Sequence, residues 1–467
     1  MRALAVAAAA LSVPAAVPAA GETPLVTWGN RAVDTVRCGP GEAANVDPED
    51  RVTASCRTVL VRIASDRTTR AGAQHATIVE PDAHAVGSRI VAVFQAGRFQ
   101  SGGAAATAFA TSGDGGRTWR DGLLPGPAPF GRASDPVIAF DPVRGVWLAA
   151  TLGVTRNRES GLVITRSADG LEWEQPRVVD RAPGDLAFDK EWIACDAWPQ
   201  SPRRGTCYIA YTAIREGGIG LRASTDGGLS WSPPVVAAAG RPAEVGAFPV
   251  VRPDGTLVLL WAQEQEAIVA ARSSDGGATL EAPSPVAMFT ARRPRGVRTV
   301  AIPIADAAPD GTVWVAWQGC RSGDCERNAV LVSSSPEGRS WSPPRSLPLP
   351  AREAAYAPAL AVDPASGRVG VAAYGATPCP GSCAANAWLL ESRTGSEWGA
   401  PRRLTAEPMP LAWHAKAMLG AMLGDYVALV YSGGRPVPVL ALAQRGRGKG
   451  LRQAALAGLR VAPPGTP

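Results

Sequence analysis

Ser224-Thr225-Asp226-Gly227-Gly228-Leu229-Ser230-Trp231 reads S-x-D-G-G-x-[ST]-W. The same pattern stands at Ser112 to Trp119, with Asp114 and Trp119 in the matching places. Ser273 to Leu280 keeps Asp275 but has Leu280 for Trp. Ser334 to Trp341 keeps Ser, Gly and Trp341 and has Pro336 where the Asp would stand. Ser167 to Trp173, with Asp169, and Ser392 to Trp398 are one residue shorter. Six copies spaced roughly 50 to 60 residues apart mean a repeat architecture.

The motif is a turn-forming device. Its Asp can accept hydrogen bonds from backbone N–H groups a few residues on. Its glycines supply positive φ. Its Trp offers a large apolar face that neighbouring repeats can share. Alternating apolar runs such as Thr107 to Thr111 precede the copies, and Pro-rich segments such as Ser232-Pro233-Pro234 follow. Short strands at even spacing with Gly and Pro turns predict an all-β chain. Radial repetition of four-stranded units predicts a β-propeller. Six full blades fall at 75–124, 131–180, 188–238, 245–288, 297–349 and 355–405. Two ends remain: the strand-like Thr58 to Ile63, and Tyr426 to Tyr431 with Val437 to Ala443. Joining them gives a composite seventh blade; a six-bladed ring is the alternative.

With these residues quoted, the chain resembles the sialidase-like superfamily over residues 57 to 444, and the motif resembles its Asp-box, or BNR repeat. The resemblance implies that Asp114, Trp119, Asp169, Trp173, Asp226, Trp231, Asp275, Trp341 and Trp398 are structural, at the blade periphery.

The N-terminus predicts a secretory signal over residues 1–20: Arg2, an Ala-rich apolar stretch and small residues around Val17-Pro18-Ala19. The apolar stretch is too short for a membrane span. Residues 21–56 form a Cys-containing N-terminal segment. Eight cysteines suit an exported chain and suggest the local pairs Cys38–Cys56, Cys195–Cys207, Cys320–Cys325 and Cys379–Cys383. With only three histidines and no C-x-x-C pair, metal ligation is the weaker reading. No cofactor is expected; calcium stays open, although no linear D-x-D-x-D-G loop occurs. The net charge of +6 sits largely in residues 445–467, which carry Arg445, Arg447, Lys449, Arg452 and Arg460 and no acid. That basic stretch reads as a disordered tail. The remaining body is formally neutral, which argues against nucleic-acid binding. The predicted chain is thus a secreted or cell-envelope monomer, and its Arg, Ala, Gly and Pro content suggests a GC-rich bacterial source.

In a propeller, loops leading into the innermost strands converge on one mouth of the channel. The blade boundaries bring His75, Asp135, Asp189, Lys190, Glu191, Arg298, Tyr356, His414, Lys416, Asp425 and Tyr426 there. Asp189-Lys190-Glu191 is the densest group, either an ion pair fixing the blade entrance or a ligand contact. Gly424-Asp425-Tyr426 resembles a G-D-Y segment of sialidase-like propellers. His75 and His414 could meet across the closing seam.

Sialidases hold a substrate carboxylate with three arginines and use a Tyr paired with Glu as nucleophile and an Asp as acid/base. Arginine forks match a carboxylate bidentately. This chain lacks the family's F/Y-R-I-P motif; Val61-Arg62-Ile63-Ala64 is its nearest match. By position, the resemblance would put Arg298 on the anion, Asp135 or Asp189 as acid/base, and Tyr356 or Tyr426 as nucleophile. The leading expectation is a propeller that binds a glycan or extracellular protein at the mouth. An exo-acting glycoside hydrolase of the exo-α-sialidase type is the alternative, and a structural cell-surface propeller a third reading.

Overall fold

In the computed structural model, the described residues run from 25 to 458, without 31, 40–41, 54, 57, 156–158, 183–186, 242, 321–325, 351, 379–382 and 447–449. The expected signal segment lies outside them. The described chain is all-β, with one 3-10 turn at Leu411–Trp413.

Antiparallel meanders of four strands recur along it. The first strands of the first six are Gln74–Val86, Arg132–Asp141, Phe188–Cys195, Glu244–Val251, Ile304–Ala307 and Ala354–Val362. The first two meanders join into one sheet through the pair Ala104↔Ala133. A seventh sheet combines both chain ends: Ala428–Ser432, Arg435–Ala443 and Gln453–Ala457, then Thr58–Ser65 and Ala43–Val46. Each first strand packs on the next, and Ala428–Ser432 packs back on Gln74–Val86. Ser432 Oγ also donates to the Gly87 carbonyl at 2.8 Å.

The seventh sheet corrects one expectation. Residues 445–467 read as a disordered tail, yet Gln453–Ala457 is a buried strand between Arg435–Ala443 and Thr58–Ser65. The basic composition around it hid a five-residue run, Gln453-Ala454-Ala455-Leu456-Ala457, whose small side chains fit between two apolar strands.

The repeated motif forms the expected turn. Asp226 Oδ1 accepts the N–H groups of Leu229 (3.1 Å) and Ser230 (3.0 Å), and the Ser224 hydroxyl accepts the Gly228 N–H (2.9 Å). Asp114 and Asp275 repeat these bonds with Thr118 and Thr279. Burial opposes the Asp226 charge, but its Ser230, Ser224 and Leu229 donors together outweigh that and hold the carboxyl near 2, and the Thr279 donors hold Asp275 near 2 as well. In the copy with Pro336, Glu337 takes over and accepts from Ser340 N–H at 2.8 Å. Each turn leans on the preceding sheet. A Cβ at Gly395 would meet Trp314 of the fifth sheet at 1.9 Å, so only glycine fits there.

The core lies between sheets, with Trp147, Trp261, Trp317 and Tyr374 fully buried. Truncating such a side chain typically costs about 3–5 kcal/mol. Disulfides join Cys38 to Cys56 and Cys195 to Cys207. Cys320 and Cys383 are also disulfide-bonded, while their expected partners Cys325 and Cys379 lie outside the described residues. Two such bridges fit an extracellular protein. Among the described residues, no helix is long and apolar enough to cross a membrane.

Two buried carboxyls tie neighbouring first strands together. Asp82 accepts the Ile138 N–H, and Asp306 accepts the Val362 N–H, both at 2.8 Å. Burial pushes Asp82 up to about 7 and Asp306 up to about 6, despite the backbone donors. The native state therefore holds these protons where the unfolded chain has lost them. Their stabilisation is full below the ordinary carboxylate value and is lost as pH rises through about 6 to 7. The melting temperature is expected to be higher at pH 5 than at pH 8, and Asp82→Asn should shrink that difference. An unchanged pH profile in the variant would remove Asp82 from the effect.

Candidate functional site

A repeated irregularity builds the centre. The first strands of five sheets break register against their second strands, at Glu80, Asp135, Lys190, Gly246 and Ala357. At these five residues φ is 53°, 47°, 51°, 75° and 46° respectively. Left-handed backbone costs a non-glycine residue roughly 1–2 kcal/mol. A bulge of this kind re-aims a side chain, and bulges concentrate near functional sites. Here three sheets place a charged residue on the bulge.

Those charges meet. Lys190 Nζ lies 3.0 Å from Asp135 Oδ1, 3.3 Å from Glu80 Oε1 and 2.6 Å from Asp425 Oδ2. Arg298 pairs with Asp425 and stands 3.9 Å from Glu80. Arg98 stands 3.9 Å from Glu80 and donates to Gln95 Oε1 at 2.6 Å, while the Gln95 amide donates to Glu80. Three cations thus face three carboxylates, all buried except the half-buried Arg298. Asp425 is brought in by the chain before the seventh sheet. Leu423 carbonyl accepts the Glu80 N–H at 3.1 Å. The approach needs Gly424, whose Cβ would lie 3.1 Å from the Glu80 backbone nitrogen.

The electrostatics follow from burial and pairing. Burial opposes the Asp425 charge, but Lys190 and Arg298 hold its carboxyl near 2. The three carboxylates overcome burial at Lys190 and raise its ammonium, so it stays charged. Glu191 is buried with neither oxygen bonded, and burial, with the Asp135 charge beside it, raises its carboxyl well above the ordinary range. Burial and the neighbouring Asp135 push Asp189 up to about 6.

The expected tyrosines are sealed. Tyr356 is buried against Tyr374, with ring centroids 5.2 Å apart and its hydroxyl unpartnered. Tyr426 is buried, packs edge-on to Trp192 at 5.1 Å and donates its hydroxyl to the Pro136 carbonyl at 3.3 Å. Burial raises both phenols above the usual range. The space among Lys190, Trp192, Phe248, Pro303 and Tyr426 is too small for a water molecule. The two histidines do not share a site. His75 is exposed with Nδ1 3.0 Å from the Thr68 carbonyl, whereas His414 is buried beside the Met409 backbone, and burial lowers its imidazole to about 4. Lys416 is exposed on a hairpin, its backbone N–H donating to Gln74 Oε1 at 2.7 Å. Among the described residues, no group of His, Cys, Asp and Glu could hold a metal ion.

Glu80, Gln95 and Arg98 escaped the sequence reading. A signal was present: Glu80-Pro81 stands at the same bulge as Asp135-Pro136 and Ala357-Pro358.

No family model matches the chain, and no curated protein matches it. Several solved structures resembling it are sialidases. The intramolecular trans-sialidase from Ruminococcus gnavus aligns at a TM-score of 0.49 and 13% identity, covering 67% of this chain and 93% of that one. The NanB sialidase from Streptococcus pneumoniae aligns at 0.49 and 12%, covering 68% and 67%. The α-L-arabinofuranosidase Arb93A from Fusarium graminearum aligns at 0.46 and 15%, covering 71% and 96%. At these values the likeness assigns no residue a role.

Lys190→Met would leave three buried carboxylates facing two cations, with Asp135 losing its counter-charge. Removing one partner of a buried ion pair costs about 3–5 kcal/mol, and that loss is expected in urea unfolding. A change below about 1 kcal/mol would mean the cluster is solvated.

Proposed function

We propose that this chain is a secreted, sialidase-like propeller of seven blades that binds a glycan or extracellular protein at its channel mouth without cleaving it. The seven sheets serve as blades, and Thr58–Ser65 supplies the last blade from the opposite end of the chain. The observation that supports the non-hydrolytic reading is the burial of both candidate nucleophiles, Tyr356 and Tyr426. Nucleophilic catalysis of the sialidase type requires a phenol within reach of substrate and base. Tyr356 and Tyr426 are both 1% exposed. An arginine that recognises a carboxylate must offer its fork, and Nη1 of Arg298 is already paired with Asp425. An acid/base must exchange a proton with the leaving group, and Asp135 is locked to Lys190. Binding then falls to the rim around this closed centre, where His75 and Lys416 are exposed and Asp189 half-buried.

One observation favours the hydrolase instead. Asp189, pushed up to about 6, has the poise of a general acid at neutral pH. It lacks an accessible nucleophile beside it.

A panel of fluorogenic glycosides, including a sialoside, separates the two. The purified protein is expected to release no fluorophore, while retaining a ligand on a glycan or surface-protein array. Release from any sugar that falls in Asp189→Asn would establish the hydrolase and reject the binding reading.

A further inference from the structure

A cavity of about 270 Å³ opens where the N-terminal segment, the seventh sheet and the start of the first sheet meet. Trp28 lines it from the first, Arg62, Ser65 and Gln453 from the second, and Asp66 from the link leading to Gln74–Val86. Ala76, beside the exposed His75, places it at the rim. The volume lies just below the roughly 300–1,000 Å³ of sites for drug-sized ligands, so one small ring fills it.

The lining keeps hydrogen-bonding capacity that the fold does not use. Arg62 gives Nε to the buried Asp47 and Nη1 to Ser65 Oγ at 3.0 Å. Its Nη2 has no acceptor among the described residues. Asp47 also accepts the Gly29 N–H, so the carboxylate behind Arg62 is fixed. Ser65 Oγ accepts from Arg62 and keeps its own proton to donate. Asp66 accepts the Thr68 N–H at 2.8 Å on one oxygen and the Thr77 N–H at 3.2 Å on the other, which leaves a lone pair on each. Among the described residues, Arg62 and Asp66 form no ion pair with each other, although both line the same cavity. Gln453 adds nothing: its oxygen takes the Ala415 N–H at 3.0 Å, and its amide is bonded to the Ile78 carbonyl. Arg452 is a wall and not a donor here, 5.7 Å from the Trp28 ring centre.

Charge decides the class of ligand. Arg62 and Arg452 are balanced by Asp47 and Asp66, so neither an anion nor a cation finds a net attraction. A hydroxyl both donates and accepts, so neighbouring hydroxyls can span a guanidinium edge and a carboxylate oxygen. A sugar ring carries such hydroxyls around apolar C–H faces, and the cavity sets its polar groups beside Trp28. Each polar group is already oriented by a partner within the protein, so little ordering is left to cost affinity. We propose that this cavity binds one neutral monosaccharide unit, with Arg62 Nη2, Ser65 and Asp66 as its hydrogen-bonding groups. The site gives the ligand reading above a place and rests on the glycan form of that reading.

The test is titration of the full chain with the methyl glycosides of glucose, galactose, mannose and N-acetylglucosamine, followed by saturation-transfer NMR, with alanine as a zwitterionic control. At least one glycoside is expected to bind, and alanine is not. Asp66→Asn should weaken binding by about tenfold, as loss of a hydrogen bond to a charged group does. Ser65→Phe, which fills the cavity, should abolish it, and both variants should melt like the wild type. Wild-type affinity in both variants would overturn this site and leave the glycan reading standing, its ligand elsewhere on the rim. Alanine competing with the glycoside would overturn the neutral-sugar class. No glycoside binding by a chain that still retains an array ligand would overturn the site alone. No binding in either assay would overturn the site and the ligand reading together. Where Ser65→Phe does not fold, a wild-type crystal soaked in the glycoside decides the point, and density for the sugar outside the cavity overturns the site.

Discussion

Lys190 stands where the first strands of three sheets and the chain leading to the seventh sheet converge, and its ammonium is the shared counter-charge for Asp135, Glu80 and Asp425. Each contact spans a different part of the chain. Desolvating these groups is expensive, and their mutual attraction offsets the cost only when geometry and count both match. Here they match: Arg98 and Arg298 bring the cations level with the carboxylates. The two other acids beside Lys190, Glu191 and Asp189, are pushed toward their neutral forms by burial. A set of this kind does not tolerate slippage between sheets, because a displaced sheet would leave a buried charge alone.

Two repeated devices make that meeting geometrically possible. The peripheral turns, closed by Asp114, Asp226 or Asp275, seat each sheet on the one before it. The bulges at Glu80, Asp135 and Lys190 spend backbone strain to point three charged side chains at one centre. The first device repeats with nearly the same residues. The second repeats in backbone only: glycine and alanine occupy it at Gly246 and Ala357. Sheets with small residues there leave the centre to apolar neighbours such as Trp192, Phe248 and Tyr426.

This difference explains what could be read from sequence. The turns were legible because Ser, Asp, Gly and Trp do their work within a few residues, so spacing alone exposes them. Strand character was legible for the same reason. Lys190 and Asp425 could be singled out by composition, one as a rare lysine and one in a Gly-Asp-Tyr turn. Their partnership could not, because Glu80 and Asp425 are separated by most of the chain. Glu80 itself was hidden by a φ value that sequence does not display, with only the following Pro81 as a hint. The strand at Gln453–Ala457 was hidden by the opposite error, in which the charge of a long window outweighed five small buried residues.

The same constraint shapes the functional reading. A centre filled by its own ion pairs leaves little charge for a substrate, and the proposed function therefore puts recognition at the rim. The chain has only three lysines, which makes the central claim directly measurable. Quantitative acylation of the native protein, read by mass spectrometry, compares Lys190 with the exposed Lys416. The account predicts that Lys416 reacts readily while Lys190 stays unmodified until the protein unfolds. Comparable labelling of the two under native conditions would contradict it, because an ammonium buried among three carboxylates is neither deprotonated nor reachable.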